Sequence, residues 1–443
     1  MPRGGFTFSS LISMHRFVRF ARFARLSRSA RRACRTSFAG LALTSVVLSG
    51  CGSDSATGLR PFTGPALSVV GKGSMTARYM AEVWTRGNIA YTSTWGTRSA
   101  NGVLAVGNAV HIWRINGAAP VLADSLIVEN ATTLGDIQVS DDGTLLVVAT
   151  ERQNGSIVIY GLTDPLKPTR ITRYQTANTT NGVHTAEVAR VNGTLYAFLS
   201  VDPPNARLVI VDLTDPANPR EVFTRIMGSP FIHDVYVRDG LLFTALWNDG
   251  TTIWDIGGGG KGGSPSNPVQ IGNVRTAAWS ASAGGIFVHN VRWFQDAAGG
   301  ANAKRFMFVG EEAPGAGSVL NSSNGDIHVV DIADMAAPKE VAFYHVDGAG
   351  THNFSVDEQR GILYAAYYNA GVRAIDIRGD LSSCSADQKS ADGRCDLRKM
   401  GRQLAGGLQS NGDVFVWGVH FDGNYLYASD MYQGLWKLAA ADR

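Results

Sequence analysis

Four histidines stand at the head of four similarly phrased segments: His184 in VHTAEV, His233 in IHDVYV, His289 in VHNVRW and His352 in HNFSV. Each is followed by a polar residue, Thr185, Asp234, Asn290 or Asn353, and three further segments carry Ala81-Glu82, Gly135-Asp136 and Trp417-Gly418 at the same place. Neutral imidazoles converging with carboxylates are ligands for Zn, Cu or Fe. His184, His233, His289 and His352 are therefore candidate ligands for a divalent or copper ion, with Asp136, Asp234, Asn290 and Asn353 beside them. Glu311 and Glu312 open an insertion (residues 311–325, EEAPGAGSVLNSSNG) that rises toward the same place as ligands or bases. In such an enzyme Glu311 or Asp234 is the base, and water or oxygen the reactant. A plainer role fits the residue types better. One ring nitrogen of each histidine can bond the backbone of a neighbouring unit, duplication can copy that contact, and the acid pair can be a solvated turn. The aromatic and amide pairs Trp247-Asn248-Asp249, Tyr368-Asn369 and Tyr432-Gln433 suit sugar or peptide recognition, or fill space between sheets.

The segments that must position these residues repeat. Apolar alternation, a polar turn with Gly and then Leu-Tyr recur in VARVNGTLYAF, VYVRDGLLFTA, FSVDEQRGILYAA and VHFDGNYLYAS, and a second phrase ending in a Pro turn recurs in VIYGLTDPLKP, VIVDLTDPANP and VVDIADMAAP. Period-two alternation broken by Asn, Asp and Gly turns is the pattern of short β-strands. Aligned on the Gly-Leu-Tyr phrase, seven copies open at Ala81, Gly135, His184, His233, His289, His352 and Trp417, at a mean spacing of 56 residues. Four antiparallel strands per copy, A to D, predict an all-β, seven-bladed β-propeller over residues 65–443. Strand A lines the channel, so the seven opening residues form a ring at one face. The last copy lacks a strand D, and residues 65–70 (PALSVV) are expected to supply it and remove two free edges. Two insertions, 257–268 and 379–411, follow strand C and are expected on the opposite face.

The phrases LVIVD (208–212) and HVVDI and the Asp-Pro-x-x-Pro turn resemble the LVIVD-repeat proteins, exported bacterial propellers mostly without an assigned activity. The resemblance covers about residues 80–440 and implies fold and compartment, with little chemistry. Lactonases and copper-dependent thiol oxidases are also exported propellers with axial ligands; this chain shares only the axial cluster with them.

Charge supports export. The chain has 40 Lys plus Arg against 37 Asp plus Glu, yet residues 1–50 hold nine Arg and no acid, leaving 31 bases against 37 acids beyond them. A mildly acidic body argues against nucleic acid as a partner. The basic stretch 16–35, the apolar stretch 38–50 and the small residues before Cys51 have the order of a signal peptide over 1–50, too short to span a bilayer. Leu48-Ser49-Gly50-Cys51 resembles a lipoprotein signal, which implies a lipidated Cys51, a flexible tether over 51–64 and, with Gly52 next, placement in the outer membrane of the cell envelope. Cys384 and Cys395 are then the only thiols left in the fold and read as a disulfide in an oxidising compartment, or as two free thiols. P-loop, dinucleotide, HExxH and GxSxG motifs are absent from the sequence. Two functions follow. One is a lipid-anchored scaffold binding an envelope protein, peptide or glycan; the other is a metal-dependent hydrolase or oxidase using the histidine arc.

Overall fold

The computed structural model describes residues 59, 62–100, 102–152, 154–314, 323–410 and 413–442. The signal segment, Cys51, most of the expected tether and the tip of the 311–325 insertion lie outside these residues. The chain is a seven-bladed propeller of four-stranded antiparallel blades, and among the described residues its only helix is the 3-10 turn Ala386–Gln388.

Blade 4 shows why these residues form strands. Strand A (Asp234–Arg238) turns through Asp239-Gly240, both with positive φ of 51° and 70°. That is the two-residue hairpin geometry that Asp-Gly and Asn-Gly favour, and Asn192-Gly193 repeats it in blade 3. Strands B (Leu241–Ala245) and C (Thr251–Asp255) are buried at every residue, because each blade is covered on both faces by its neighbours, which explains their nearly unbroken apolar runs. The Asp-Pro turn that leads to strand D is held by side chains. Asp212 accepts from the Thr214 amide and hydroxyl, and Asp215 from the Ala217 amide. Asp164 and Asp334 do the same for Leu166 and Ala336 in their blades. This capping, available to Asp and Asn, is why the phrase is copied.

The core is divided among the seams between blades. Leu145, Val147 and Ile157 of blade 2 meet Val188, Leu199 and Val209 of blade 3 in one cluster, and Phe243 and Ile253 of blade 4 meet Val291, Met307 and Val309 of blade 5 in another. Full burial of each such aliphatic contributes about 1.5–3 kcal/mol, so the blades stabilise one another.

The N-terminal strand closes the ring. It runs Val69–Ser74 and pairs antiparallel with Gly434–Ala439, the strand C of blade 7, a few residues later than residues 65–70. The displacement has a cause: Pro65 to Leu67 are bonded instead to blade 6, with Leu67 N donating to Gly406 O and Gly406 N to Pro65 O. Leu59 also packs on the core between blades 5 and 6, and Arg373 lies over the Phe62 ring. Cys384 and Cys395 form a disulfide. Their insertion does more than decorate a face: Cys395–Asp396 adds to strand D of blade 5 as a parallel fifth strand, and Gln403–Gly407 within it is strand D of blade 6. A hairpin, Thr97–Ala100 with Val103–Val106, leaves blade 1 between strands B and C and exposes Val103 and Leu104.

Candidate metal centre in the axial channel

The ring residues owe their direction to a repeated irregularity. In blades 3, 5 and 7 the A–B pairing skips one residue, and the skipped residues are His184, His289 and Trp417. In blades 1 and 2 it skips Ala81-Glu82 and Gly135-Asp136. A bulge turns an extra side chain out of the pleat, here toward the axis. His233 and His352 precede their strands and are held by backbone bonds from their own amides to Ala245 O and Ala366 O. Gly135 is required by close approach, since a Cβ there would lie 2.1 Å from His184 O.

The four histidines form a continuous arc. Ring centroids step 4.3 Å from His184 to His233, 4.2 Å to His289, 4.1 Å to His352 and 4.3 Å to Trp417. Trp247 stacks on His233 at 5.2 Å, and Tyr368 stands edge-on to His352. Both turn residues have positive φ, 52° and 45°, a conformation that costs a bulky residue on the order of 1–3 kcal/mol and collects at functional sites.

The arc does not act mainly as glue between blades. Among the described residues, His352 makes the one close bond of the four to a neighbouring blade's backbone, its Nδ1 lying 2.7 Å from Trp417 O, while His233 is held more loosely toward the His289 backbone. The ties come from the next position along: Thr185 Oγ1 donates to His233 O, Asn290 Nδ2 to His352 O and Asn353 Nδ2 to Glu82, while Asp136 accepts from Ala186 N. Both ring nitrogens of His289, and Nδ1 of His233, are buried without a hydrogen-bond partner among the described residues. An unpaired buried polar atom costs about 1–3 kcal/mol, and a ligand on His289 Nε2 would relieve the one that faces Glu312.

Glu312 supplies the carboxylate. Its Oε2 lies 3.6 Å from His289 Nε2 and 3.9 Å from His233 Nε2, and its other oxygen accepts from Tyr368 Oη. Glu311, its neighbour, points the opposite way, as adjacent strand residues must. It accepts from Trp279 N and pairs with His328, which is bonded in turn to Glu340, and so lies away from the arc. Burial pushes Glu312 up to about 7 and drives His352 down to about 3, with His233 and His289 also well below the usual histidine range. At neutral pH these imidazoles are uncharged, the state that ligates metals. Burial opposes the charged form of His184 too, but Glu151 and Asp202 outweigh it and raise its pKa.

Glu151 and Asp202 were not singled out in the sequence. They lie 3.6 and 3.7 Å from His184 Nδ1, directly after strand B of blades 2 and 3. Glu312 stands at the same place in blade 5. Carrying Glu312 across the repeat alignment would have found both.

Beneath the arc a second layer faces a cavity of ≈ 230 Å³, lined by Glu82, Asp136, Glu187, Asp234, Asn353 and Arg292, the one Arg or Lys among its walls. Burial raises Asp136 to about 7 and Glu187 to about 8, the neighbouring Asp234 adding to both. Asp234 is also raised by burial and accepts from Val235 N. Of the other predicted positions, Asn290 bonds Asn353 within this layer, while Tyr432 lies outside the arc against Tyr79 and Phe415.

Residues 196–225 match the LVIVD repeat family model. The propeller carries an LVIVD repeat. The matched stretch covers strands B to D of blade 3, and Arg207–Asp212, the strand that spells LVIVD, is the blade's strand C. Among solved structures, the Cps50 (Swd1) β-propeller domain of Myceliophteria thermophila is similar at a TM-score of 0.53 and 13% identity, covering 84% of this chain and 98% of that one. Sqt1 of Saccharomyces cerevisiae is similar at 0.50 and 10% identity, covering 82% and 83%. Likenesses this distant speak to fold alone. No curated protein matches the chain. The histidine arc begins in the blade that carries the LVIVD match and runs on through blade 6.

Proposed function

We propose that this protein is a cell-envelope propeller that holds a transition-metal ion at the mouth of its axial channel and acts there on a small molecule. The observation that carries the reading is the buried, unpartnered Nε2 of His289, which faces Glu312 with His233 Nε2 beside the same carboxylate. Two imidazoles and one carboxylate are a donor set used by catalytic zinc and by non-haem iron, both of which keep positions open for reactants. A tetrahedral ion with bonds of about 2.0–2.1 Å spaces its donors about 3.3–3.4 Å apart, shorter than the 3.6 and 3.9 Å from Glu312 to the two imidazoles, so the ligands would draw together on binding. When bound, the metal would supply Lewis-acid or redox chemistry. His233, His289 and Glu312 would hold it, Tyr368 would fix the Glu312 carboxylate, and the cavity below limits the substrate to a small molecule.

The test is metal content. Protein purified without metal-affinity resin and analysed by mass spectrometry is expected to carry near-stoichiometric Zn, Cu or Fe, lost in His289→Leu. A folded, metal-free protein that gains no stability from any of these ions overturns the reading.

Lipid attachment at Cys51 and outer-membrane placement belong to the same proposal, supported by the order of basic, apolar and Leu-Ser-Gly-Cys segments. Radiolabelled palmitate should enter the wild type and not Cys51→Ser. A scaffold role toward an envelope protein, peptide or glycan is favoured by the hairpin that leaves Val103 and Leu104 67% and 73% exposed. Changing both to Ser should abolish partner cross-linking in intact envelopes and leave metal content unchanged; unchanged cross-linking would remove the hairpin from that role.

A further inference from the structure

The metal reading uses one nitrogen of each histidine, and His184 has both of its nitrogens turned toward other ligand groups. Its Nε2 is hydrogen-bonded at 3.1 Å to His233 Nε2, a ligand atom of the first site, a contact that an ion would replace. Its Nδ1, on the other side of the ring, faces Glu151 Oε1 at 3.6 Å and Asp202 Oδ1 at 3.7 Å. Those two distances exceed a hydrogen bond and stand a few tenths above the donor spacing of a tetrahedral ion. Glu151 is aimed by a separate contact: its second oxygen accepts from Trp95 Nε1 at 3.2 Å, which leaves Oε1 for His184.

We propose that His184 bridges two metal ions, its Nε2 entering the first site beside His233 Nε2 and its Nδ1 joining Glu151 and Asp202 in a second. The inference rests on the metal reading above. A neutral imidazole has one free lone pair, so ligation through both nitrogens releases the remaining ring proton to solvent and leaves an imidazolate. The charges suit this. The second site brings two carboxylates and half a share of the imidazolate to one divalent ion, and N/O donors of this kind favour Cu(II) over the other first-row ions. The channel would then present two ions on one side of its mouth, a binuclear centre for an oxygen-bearing or redox-active small molecule.

The experiment uses the full-length chain, purified without metal-affinity resin, stripped with chelator and reloaded with Cu(II). Copper is counted by mass spectrometry and its spin state read by electron paramagnetic resonance, with folding checked by circular dichroism. Two equivalents per chain with a spin-coupled signal are expected. The pair Glu151→Gln/Asp202→Asn, conservative in shape, should keep one equivalent and regain an uncoupled single-copper spectrum. One equivalent in the wild type, kept by that pair and lost in His289→Leu, overturns the shared histidine and leaves the first site standing. Two equivalents with uncoupled spectra also overturn the sharing. One equivalent that survives His289→Leu and is lost in the acid pair overturns both, and so does none at all.

Discussion

His289→Leu tests the reason the arc exists. In the metal-free protein His289 is 2% exposed, and neither ring nitrogen has a partner. Each unpaired buried group costs about 1–3 kcal/mol, whereas an apolar replacement of similar shape leaves nothing unpaired. Allowing for imperfect packing of Leu, the variant should be more stable than stripped wild type by about 1–3 kcal/mol. A chain of this size has an unfolding entropy worth about 0.8 kcal/mol per degree at its midpoint, so the expected rise is about 1–4 °C. Metal reverses the order. An ion at 100 times its Kd adds about 2.7 kcal/mol to the wild type, about 3 °C, and nothing to a variant lacking one ligand of the site. The assay is a thermal melt of both proteins, stripped and with Zn or Cu. The reasoning is refuted if His289→Leu is destabilised by several degrees when metal-free and wild type gains nothing from metal, for then the imidazole is packing or bonding that the geometry does not reveal.

Four further outcomes are expected. Glu312→Gln should cut metal affinity by tenfold or more, read by competition with a chelating dye, while the fold is kept. His328, raised to about 10 against its burial by Glu311 and Glu340, contributes stability that is full below its unfolded pKa of about 6.5 and is lost as pH climbs through about 10. Wild type should therefore lose a few kcal/mol between those limits in denaturant melts, and His328→Gln should show a flatter profile. Gly135→Ala should destabilise by more than about 2 kcal/mol and weaken metal binding, because the new Cβ meets the His184 carbonyl and overpacking here must move a ring ligand. Replacing both Cys384 and Cys395 by Ser should lower stability by about 2–3 kcal/mol and raise proteolysis near Arg394, whose guanidinium holds Glu340, with metal content unchanged.

The blades were legible because their turns are chemically copied. Asn-Gly and Asp-Gly demand one hairpin geometry, and the Asp-Pro turn caps itself, so strands A to D could be placed from the residues between them. The ring was legible for the same reason: His184, His233, His289 and His352 sit at one place in the repeat. Chemistry that depends on strand register was not. Glu311 and Glu312 are identical in type and adjacent, and only the pairing of Val288 with Glu311 decides which one turns to the axis. Glu151 and Asp202 read as ordinary polar residues leaving a strand. Their meaning comes from blades curving around a common axis, which brings residues about fifty positions apart to one imidazole. The fifth strand on blade 5 was hidden similarly, since a disulfide loop carries no period of its own.

The closing strand sets an order of events. Val69–Ser74 is made before every other blade strand, yet its partner Gly434–Ala439 is made last, and contacts so distant along a chain form slowly. The histidine arc lies in four successive blades, 3 to 6, and needs only neighbours. It can therefore assemble while the chain is still emerging, and a metal taken up then would arrive before the channel has a complete wall. Closure by the first strand would complete the wall around an already loaded centre, and a chain truncated before blade 7 would leave that wall incomplete.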